Sequence, residues 1–190
     1  KDPHTPTRGK MIKINSDRLR RLLDECNTFT CESKPGINRE GYSRWDMRLR
    51  RHLVDTFSKK YPDLRCRTDN VGNVVVRYEG ATPSAPCVMS GSHLDSVPHG
   101  GRYDGVLGFC AAIEALLTLM DHGVKPLYAI EVVGFAEEEG RFGGMLGSQA
   151  MAGKVKRDWI DKAKDADGVM LHDAMRAHGL NAYDALRGCR

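Results

Sequence analysis

The amino-acid sequence predicts an α/β fold in which a mostly parallel sheet is covered by helices. Strand-like and helix-like segments alternate along the chain, and residues 128–135 form a nearly continuous apolar run, typical of a strand buried on both faces. A length of 190 residues suffices for one domain with a buried core. Residues 1–10 are polar and contain two prolines, so we treat them as a loose extension before a domain over residues 11–190.

The first third of the chain predicts two amphipathic helices and then two strands. Ser16 is a suitable N-cap for a helix whose apolar face reaches Cys26. A second helix is expected from about residue 44 to 60, because apolar residues recur at helical spacing before a proline. Residues 64–67 and 73–78 then predict two strands joined through a hairpin-like Asp-Asn-Val-Gly turn.

The rest of the chain alternates between strands and helices. Residues 87–90 predict a short buried strand and residues 105–120 a helix, and residues 128–135 are the clearest strand. Three further helices are predicted over residues 145–152, 158–164 and 171–178. Because ligands of such sheets gather beyond the carboxyl ends of the strands, functional residues are expected directly after residues 90 and 135.

Composition excludes several classes of function. The net charge of +4 is concentrated in residues 1–60, where 15 Lys and Arg oppose 8 Asp and Glu, but it is spread over two predicted helices. This distribution indicates a solvated helix surface and no nucleic-acid partner. No apolar run approaches the roughly 18 residues of a membrane span, so no membrane partner is expected. The six cysteines form no CxxC pair or regular framework, which favours a reduced, cytoplasmic setting.

Two short motifs at the ends of apolar runs carry the functional prediction. Gly91-Ser-His-Leu-Asp-Ser96 contains His93 and Asp95, and Asp104 follows shortly in a Gly-Gly-Arg-Tyr-Asp-Gly segment. Phe135-Ala-Glu-Glu-Glu-Gly140 supplies three carboxylates after the clearest strand. Imidazole and carboxylate are the ligands that Zn²⁺ and similar divalent ions accept, and a glutamate beside them can act as a general base. The motifs therefore predict a metal-dependent hydrolase.

Each of these residues also has an ordinary structural interpretation. A single histidine such as His93 is usually a polar surface residue, although Asp95 two positions later could orient its imidazole. Asp104 could cap the helix that follows it, or it could bridge two ions with its two carboxylate oxygens. Three consecutive glutamates are often a solvated acidic loop, but beside a buried strand end they repel each other unless a cation compensates. His99, His172 and His178 are further candidate ligands.

Taken together, the segments around His93, Asp95 and Asp104 and the Glu138-Glu139-Gly140 ending resemble the hydantoinase/carbamoylase family of dinuclear-metal amidohydrolases. The family includes N-carbamoyl-L-amino-acid hydrolases, β-ureidopropionases and allantoate amidohydrolases, relatives of aminoacylase and the zinc exopeptidases. The resemblance runs from about residue 16 to the end of the chain.

The resemblance implies a role for each motif residue. His93 would bind one of two divalent ions (Zn, Mn or Co), Asp104 would bridge both, and Glu139 would bind the other. Glu138 would act as general base, and Asp95 would support His93. The substrate would be a small molecule with a carboxylate, and the intact enzyme would be a homodimer through a lid domain.

Two departures from the family pattern affect these expectations. Arg141-Phe142 follows Glu-Glu-Gly directly, where the family usually has one intervening residue, which leaves a role for Arg141 open. Family members are also much longer, with further metal histidines and the lid, so we expect this chain to be the N-terminal part of such an enzyme and to be inactive alone. The alternatives are an aminoacylase or dipeptidase of the same superfamily, which normally has a longer spacing than that from His93 to Asp104, and a non-catalytic metal-binding module.

Overall fold

The computed structural model describes residues 12–82 and 85–188; the extension predicted over residues 1–10 lies outside them. The helices are α1 (Ser16–Asn27), α2 (Arg44–Lys60), α3 (Val106–Asp121), α4 (Leu146–Met151), α5 (Arg157–Lys162) and α6 (Leu171–Arg176), followed by a 3-10 helix over Ala182–Arg187. The strands are β1 (Leu64–Thr68), β2 (Val74–Tyr78), β3 (Val88–His93) and β4 (Ile130–Phe135). Apart from the 3-10 helix, every element matches a predicted one within a few residues.

The four described strands form one sheet in the order β1-β2-β4-β3. The strands β1 and β2 are an antiparallel hairpin, β2 pairs antiparallel with β4, and β3 pairs parallel with β4. The predicted α/β class is confirmed, but this part of the sheet is mixed where the sequence analysis expected it to be mostly parallel. The difference arises because the β1–β2 hairpin adds to the sheet through β2, whereas α3 provides the crossover that a parallel β3–β4 pair requires.

The main core lies between the sheet and helices α1, α2 and α3. Cys26 of α1, Leu53 of α2 and Ile113 of α3 are buried with Val76 and Val132 of the sheet. This burial follows from the apolar stripe that each helix carries at helical spacing, and it supplies most of the hydrophobic stabilisation of this layer.

The caps of the first two helices use side-chain oxygens, in one case a residue earlier than predicted. The N-cap of α1 is Asn15, whose side chain accepts a hydrogen bond from the Arg18 amide, so the expected cap Ser16 is the first helical residue. The N-cap of α2 is Ser43, whose hydroxyl accepts from the Asp46 amide. Asparagine and serine are equally good N-caps, and the sequence alone does not distinguish adjacent candidates.

A second core fills the carboxyl end of the sheet. It joins Val71 of the hairpin turn and Ala136 after β4 to Leu146, Ile160 and Leu171 of the three short helices. The residues beyond β3 and β4, which carry the candidate site, are thereby held against packed helices.

Strand β3 is an exposed edge, which contradicts the prediction of a buried strand over residues 87–90. Val88 is 55% and Met89 46% exposed, and Cys87 is half-buried. The Val88 amide donates to Ala129 and the Leu94 amide to Phe135, both on the β4 side. In a parallel strand the backbone N–H and C=O groups of every second residue point to the same neighbouring strand. Since those of Val88 point to β4, those of Met89 and Gly91 point away from it, to the open edge. An apolar run predicts a strand but does not reveal whether another segment covers it.

None of the helices in the described part of the chain is both long and apolar enough to cross a membrane.

Candidate metal site

The register of the two parallel strands places both motifs at one edge of the sheet. His93, the last residue of β3, is paired with Phe135, the last residue of β4. Asp95 and the glutamates that follow Ala136 therefore leave the sheet side by side, as expected for residues at the carboxyl ends of parallel strands. Asp104 approaches from the loop that leads into α3.

Three predicted ligands converge there. His93, Asp104 and Glu139 each offer one ligand atom, and the three atoms lie within 4.8 Å of one another. The Nε2 of His93 is 3.7 Å from Asp104 Oδ1. One nitrogen and two carboxylate oxygens form a donor set suited to Zn²⁺ and similar divalent ions.

A backbone carbonyl fixes the imidazole of His93 in the orientation a ligand needs. Its Nδ1 lies 3.0 Å from the backbone oxygen of Asp95. A carbonyl oxygen can only accept, so Nδ1 carries the proton and the lone pair of Nε2 is directed at the carboxylates. Gly105 (φ 65°) lies against the ring, and a Cβ there would come within 2.3 Å of it. The imidazole fits at this position because Gly105 has no side chain.

The carboxylate of Asp95 does not contact the imidazole as the sequence analysis expected. Its Oδ2 accepts hydrogen bonds from the backbone amides of Glu138 and Glu139, each at 3.0 Å. Asp95 is 1% exposed, so the carboxylate that accepts these bonds lies inside the protein. Asp95 therefore supports His93 through its main chain and the glutamates through its side chain.

Asp104 does not cap the helix that it precedes. The N-cap of α3 is Gly105, and no side-chain hydrogen bond caps that helix. The side chain of Asp104 is 66% exposed and faces His93. Of the two interpretations of Asp104, the geometry excludes the N-cap.

The glutamates occupy three different environments. Glu138 Oε2 lies 3.7 Å from His93 Nε2, with its side chain 40% exposed. Burial raises the pKa of Glu139; the nearby His93 lowers it, and Asp104 and Glu138 raise it further. Carboxylates that repel one another around one open position fit a cation at that position.

Glu137 lies outside this group, as predicted, and is fully buried. Its Oε1 accepts from the amides of Phe142, at 2.6 Å, and Gly144, at 3.3 Å, while its Oε2 has no hydrogen-bond partner. Burial raises the pKa of Glu137 to about 7. Through these two hydrogen bonds its side chain fixes the glycine-rich loop that follows the site. Glu137 is therefore neither a metal ligand nor part of a solvated acidic loop, the two interpretations considered for the glutamates.

Arg141 has a structural partner. Its Nε and Nη2 donate to Asp165 Oδ2, at 3.1 and 2.9 Å, and its Nη1 donates to the backbone oxygen of Gly41. Arg141 and Asp165 line a cavity of about 480 Å³ that reaches Glu139. The guanidinium thus supports the wall of this cavity.

The other candidate histidines lie elsewhere. His99 Nδ1 is 2.9 Å from the backbone oxygen of Pro35, and His178 Nε2 is 3.1 Å from that of Tyr42. His172 Nε2 is 3.5 Å from Asp173 Oδ1 on α6. Within residues 12–82 and 85–188, the cluster contains none of the three.

A buried ion pair, which was not predicted from the sequence, lies behind the site. Asp46 and Arg50 of α2 are both 0% exposed, and Arg50 Nε donates to Asp46 Oδ1 at 2.7 Å. The signal was present as an acid and a base at i, i+4 spacing, but such pairs are usually found on helix surfaces.

The fold is thus an α/β sheet with an imidazole and carboxylates gathered beyond the ends of its parallel strands. The chain belongs to the family described as Peptidase family M28, whose model matches residues 73–184.

Relatives and solved structures give a finer placement. The chain is 38% identical to N-carbamoyl-L-amino acid amidohydrolase of Geobacillus stearothermophilus, over 88% of this chain and 41% of the relative. It is 39% identical to ureidoglycolate hydrolase of Oryza sativa subsp. japonica, over 90% of this chain and 35% of the relative. The crystal structure of a hydantoinase/carbamoylase family amidase from Burkholderia ambifaria superposes with a TM-score of 0.81 at 34% identity, over 90% of this chain and 42% of that one.

These similarities confirm the resemblance predicted from the two motifs. They also show that the chain spans about two fifths of the length of these relatives.

Proposed function

We propose that the chain is the N-terminal part of a metal-dependent hydrolase that cleaves linear amide or ureido C–N bonds. The observation that carries the proposal is the convergence of ligand atoms from His93, Asp104 and Glu139 within 4.8 Å. A general base is available beside them, since Glu138 Oε2 lies 3.7 Å from His93 Nε2.

In this proposal each ligand has one role. His93 would bind one ion through Nε2, Glu139 would bind a second, and Asp104 would be shared between them; Zn, Mn or Co would suit these donors. Bound divalent ions would polarise the substrate carbonyl and lower the pKa of water. Asp95 keeps the imidazole in the required tautomer through its backbone oxygen, 3.0 Å from Nδ1.

Glu138 moves the proton. Its carboxylate accepts a proton from the attacking water and returns it to the leaving nitrogen, so that when the C–N bond breaks the nitrogen leaves as a neutral amine and not as an amide anion. Its side chain is 40% exposed, which leaves it accessible to a substrate entering from solvent. Glu139 is partly buried, and the position of its carboxylate beside His93 and Asp104 suits a ligand.

The names of the relatives indicate the substrate class. N-carbamoyl-L-amino acids and ureidoglycolate both carry a ureido group on the carbon next to a carboxylate. We propose a small ureido acid of this kind as substrate, with allantoate a further candidate from the same chemistry. Arg141 is already paired with Asp165, so we propose that a different cationic residue binds the substrate carboxylate.

The remaining residues of a longer protein would complete the site. A catalytic zinc normally has three protein ligands, whereas a two-metal arrangement leaves each ion only two here, with Asp104 shared. We propose that the longer protein adds the other ligands and a lid domain that makes it a homodimer. The five described cysteines are free thiols, which suits a cytoplasmic enzyme.

Turnover by the longer protein tests this assignment. Glu138→Gln should abolish ammonia release from N-carbamoyl amino acids, ureidoglycolate and allantoate while metal content stays near that of the wild type, because a base contributes nothing essential to coordination. Glu139→Gln should lose metal. The reverse pattern would exchange the two roles, and metal binding without turnover in the wild type would favour a non-catalytic metal-binding module. Preferred hydrolysis of dipeptides or N-acetyl amino acids would favour the aminoacylase or dipeptidase alternative.

A further inference from the structure

A buried guanidinium lies directly behind the two glutamates of the site. Arg50 is 0% exposed although it is among the largest side chains of the core. Its Nε donates to Asp46 Oδ1 at 2.7 Å, within the same helix. A buried charge of this kind is costly unless every donor and the charge itself are compensated.

The remaining donors of Arg50 hold the backbone at the end of β4. Its Nη1 donates to the backbone oxygens of Gly72 and Gly134, at 3.2 and 3.0 Å. Its Nη2 donates to the backbone oxygen of Phe135 at 3.0 Å. Helix α2 is thereby attached to Gly134 and Phe135, the last two residues of β4.

Arg50 also provides the charge that faces Asp95. Asp95 Oδ1 has no hydrogen-bond partner and lies 3.9 Å from Arg50 Nη2, with both side chains fully buried. The other oxygen of Asp95 accepts the amides of Glu138 and Glu139. Arg39 is the other buried cation nearby, but its Nε donates to the backbone oxygen of Leu94. Among the residues that the structure describes, Arg50 is therefore the cation whose ion-pair distance to the Asp95 carboxylate is within 4 Å.

We propose that Arg50 is a positioning residue for the metal site. Its guanidinium lies against the Asp95 carboxylate and fixes the end of β4, and through Asp95 it sets the backbone position from which Glu138 and Glu139 reach the metal and the substrate. The proposal rests on the proposed function for the roles of these glutamates. Its structural consequence, the two amide hydrogen bonds, is present without metal and can be measured separately.

The competing explanation is that Arg50 only stabilises the fold. A merely structural residue would change amide exchange throughout the domain in proportion to the loss of stability. Changing a positioning residue would accelerate exchange at the Glu138 and Glu139 amides beyond that proportion, because without the guanidinium fork the end of β4 and the Asp95 carboxylate that accepts from these amides are no longer held in place.

The experiment uses the 190-residue chain and amide hydrogen exchange measured by NMR without metal, followed by Zn²⁺ titration. Arg50→Lys keeps the charge but loses the planar donor fork. A second variant, Asp46→Asn with Arg50→Met, removes the ion pair as a unit and so avoids leaving Asp46 unpaired. The control is Arg18→Met, which breaks the ion pair to the buried Glu114 far from the site.

The proposal predicts that both Arg50 variants accelerate exchange at Glu138 and Glu139 by at least about tenfold relative to Ile113 in the core, and weaken Zn²⁺ binding about tenfold or more. Arg18→Met should change neither the exchange at Glu138 and Glu139 relative to Ile113 nor the Zn²⁺ affinity. Exchange at these two amides that follows Ile113 in all variants would overturn the proposal, as would Zn²⁺ affinity unchanged by the Arg50 variants. If the wild type binds no Zn²⁺, the proposed function fails, and the exchange ratios still decide whether Arg50 positions the two glutamates.

Discussion

The Nδ1 of His93 lies 3.0 Å from the backbone oxygen of Asp95, two residues later in the chain. This contact assigns the proton to Nδ1 and leaves Nε2 as the acceptor that faces Asp104. The same residue, Asp95, uses its carboxylate to hold the amides of Glu138 and Glu139. One aspartate thus links the two halves of the candidate metal site.

The close packing of Gly105 on the imidazole gives a prediction. Gly105→Ala should weaken Zn²⁺ binding about tenfold or more, because the new Cβ would come within 2.3 Å of the His93 ring. Gly123→Ala is a matched control: Gly123 has the same φ of 65°, but a Cβ there would meet no atom within 4 Å. Both variants should lose about 1 kcal/mol or more of stability, since a positive φ disfavours alanine. Calorimetric titration and thermal unfolding measure the two effects, and equal Zn²⁺ affinity in both variants would remove the imidazole from the site.

Buried Glu137 predicts a pH dependence of stability in metal-free protein. Burial raises its pKa from 4.5 to about 7, so between these values the folded state binds more protons than the unfolded state. The free energy of unfolding contributed by this group is therefore greatest below about pH 4.5, falls as the pH rises to about 7, and is level above that.

Glu137→Gln isolates this contribution, because its amide oxygen can still accept from the Phe142 and Gly144 amides. We expect the variant to lose the decline and to exceed the wild type by about 3–4 kcal/mol at pH 8, because the pKa lies about 2.5 units above 4.5 and each unit corresponds to about 1.4 kcal/mol. Urea unfolding at several pH values in the presence of a chelator measures it. Parallel pH profiles for the wild type and the variant would show that Glu137 titrates normally.

The open edge of β3 predicts self-association of the 190-residue chain. Met89 is 46% exposed, and its backbone groups face away from β4, so a second copy can pair with them. Met89→Lys should reduce association because a lysine on an edge strand opposes pairing. Leu127→Lys, which removes a 60% exposed apolar side chain outside the strands, should have less effect. Light scattering after size exclusion decides this, and a wild type that is monomeric at all concentrations would contradict it.

Much of the fold and the members of the site could be predicted because the necessary information is local. The apolar stripe of α2, its Ser43 cap and the following Pro62 define that helix within one segment. His93 and Glu139 follow apolar runs that end at one edge of a sheet, so their proximity follows from the parallel pairing of two strands.

The features that could not be predicted depend on contacts distant in the sequence. The exposure of β3 depends on whether another segment covers its edge, and the apolar run at residues 87–90 is compatible with either case. The direction of the Asp95 carboxylate is set by Arg50 and by the turn after β4, about 45 residues away on either side. Spacing of two residues after His93 suggested a side-chain contact, whereas the backbone oxygen makes it.

The central claim is that His93, Asp104 and Glu139 form a metal site, and a Zn²⁺ titration of the 190-residue chain tests it most directly. Asp104→Ala removes a side chain that makes no helix cap, so its loss should leave folding unchanged. Asp55→Ala, on the exposed face of α2, controls for the loss of one negative charge. We predict weak, saturable binding by the wild type and by Asp55→Ala, and an affinity at least about tenfold lower for Asp104→Ala. Equal binding by all three proteins would contradict the account.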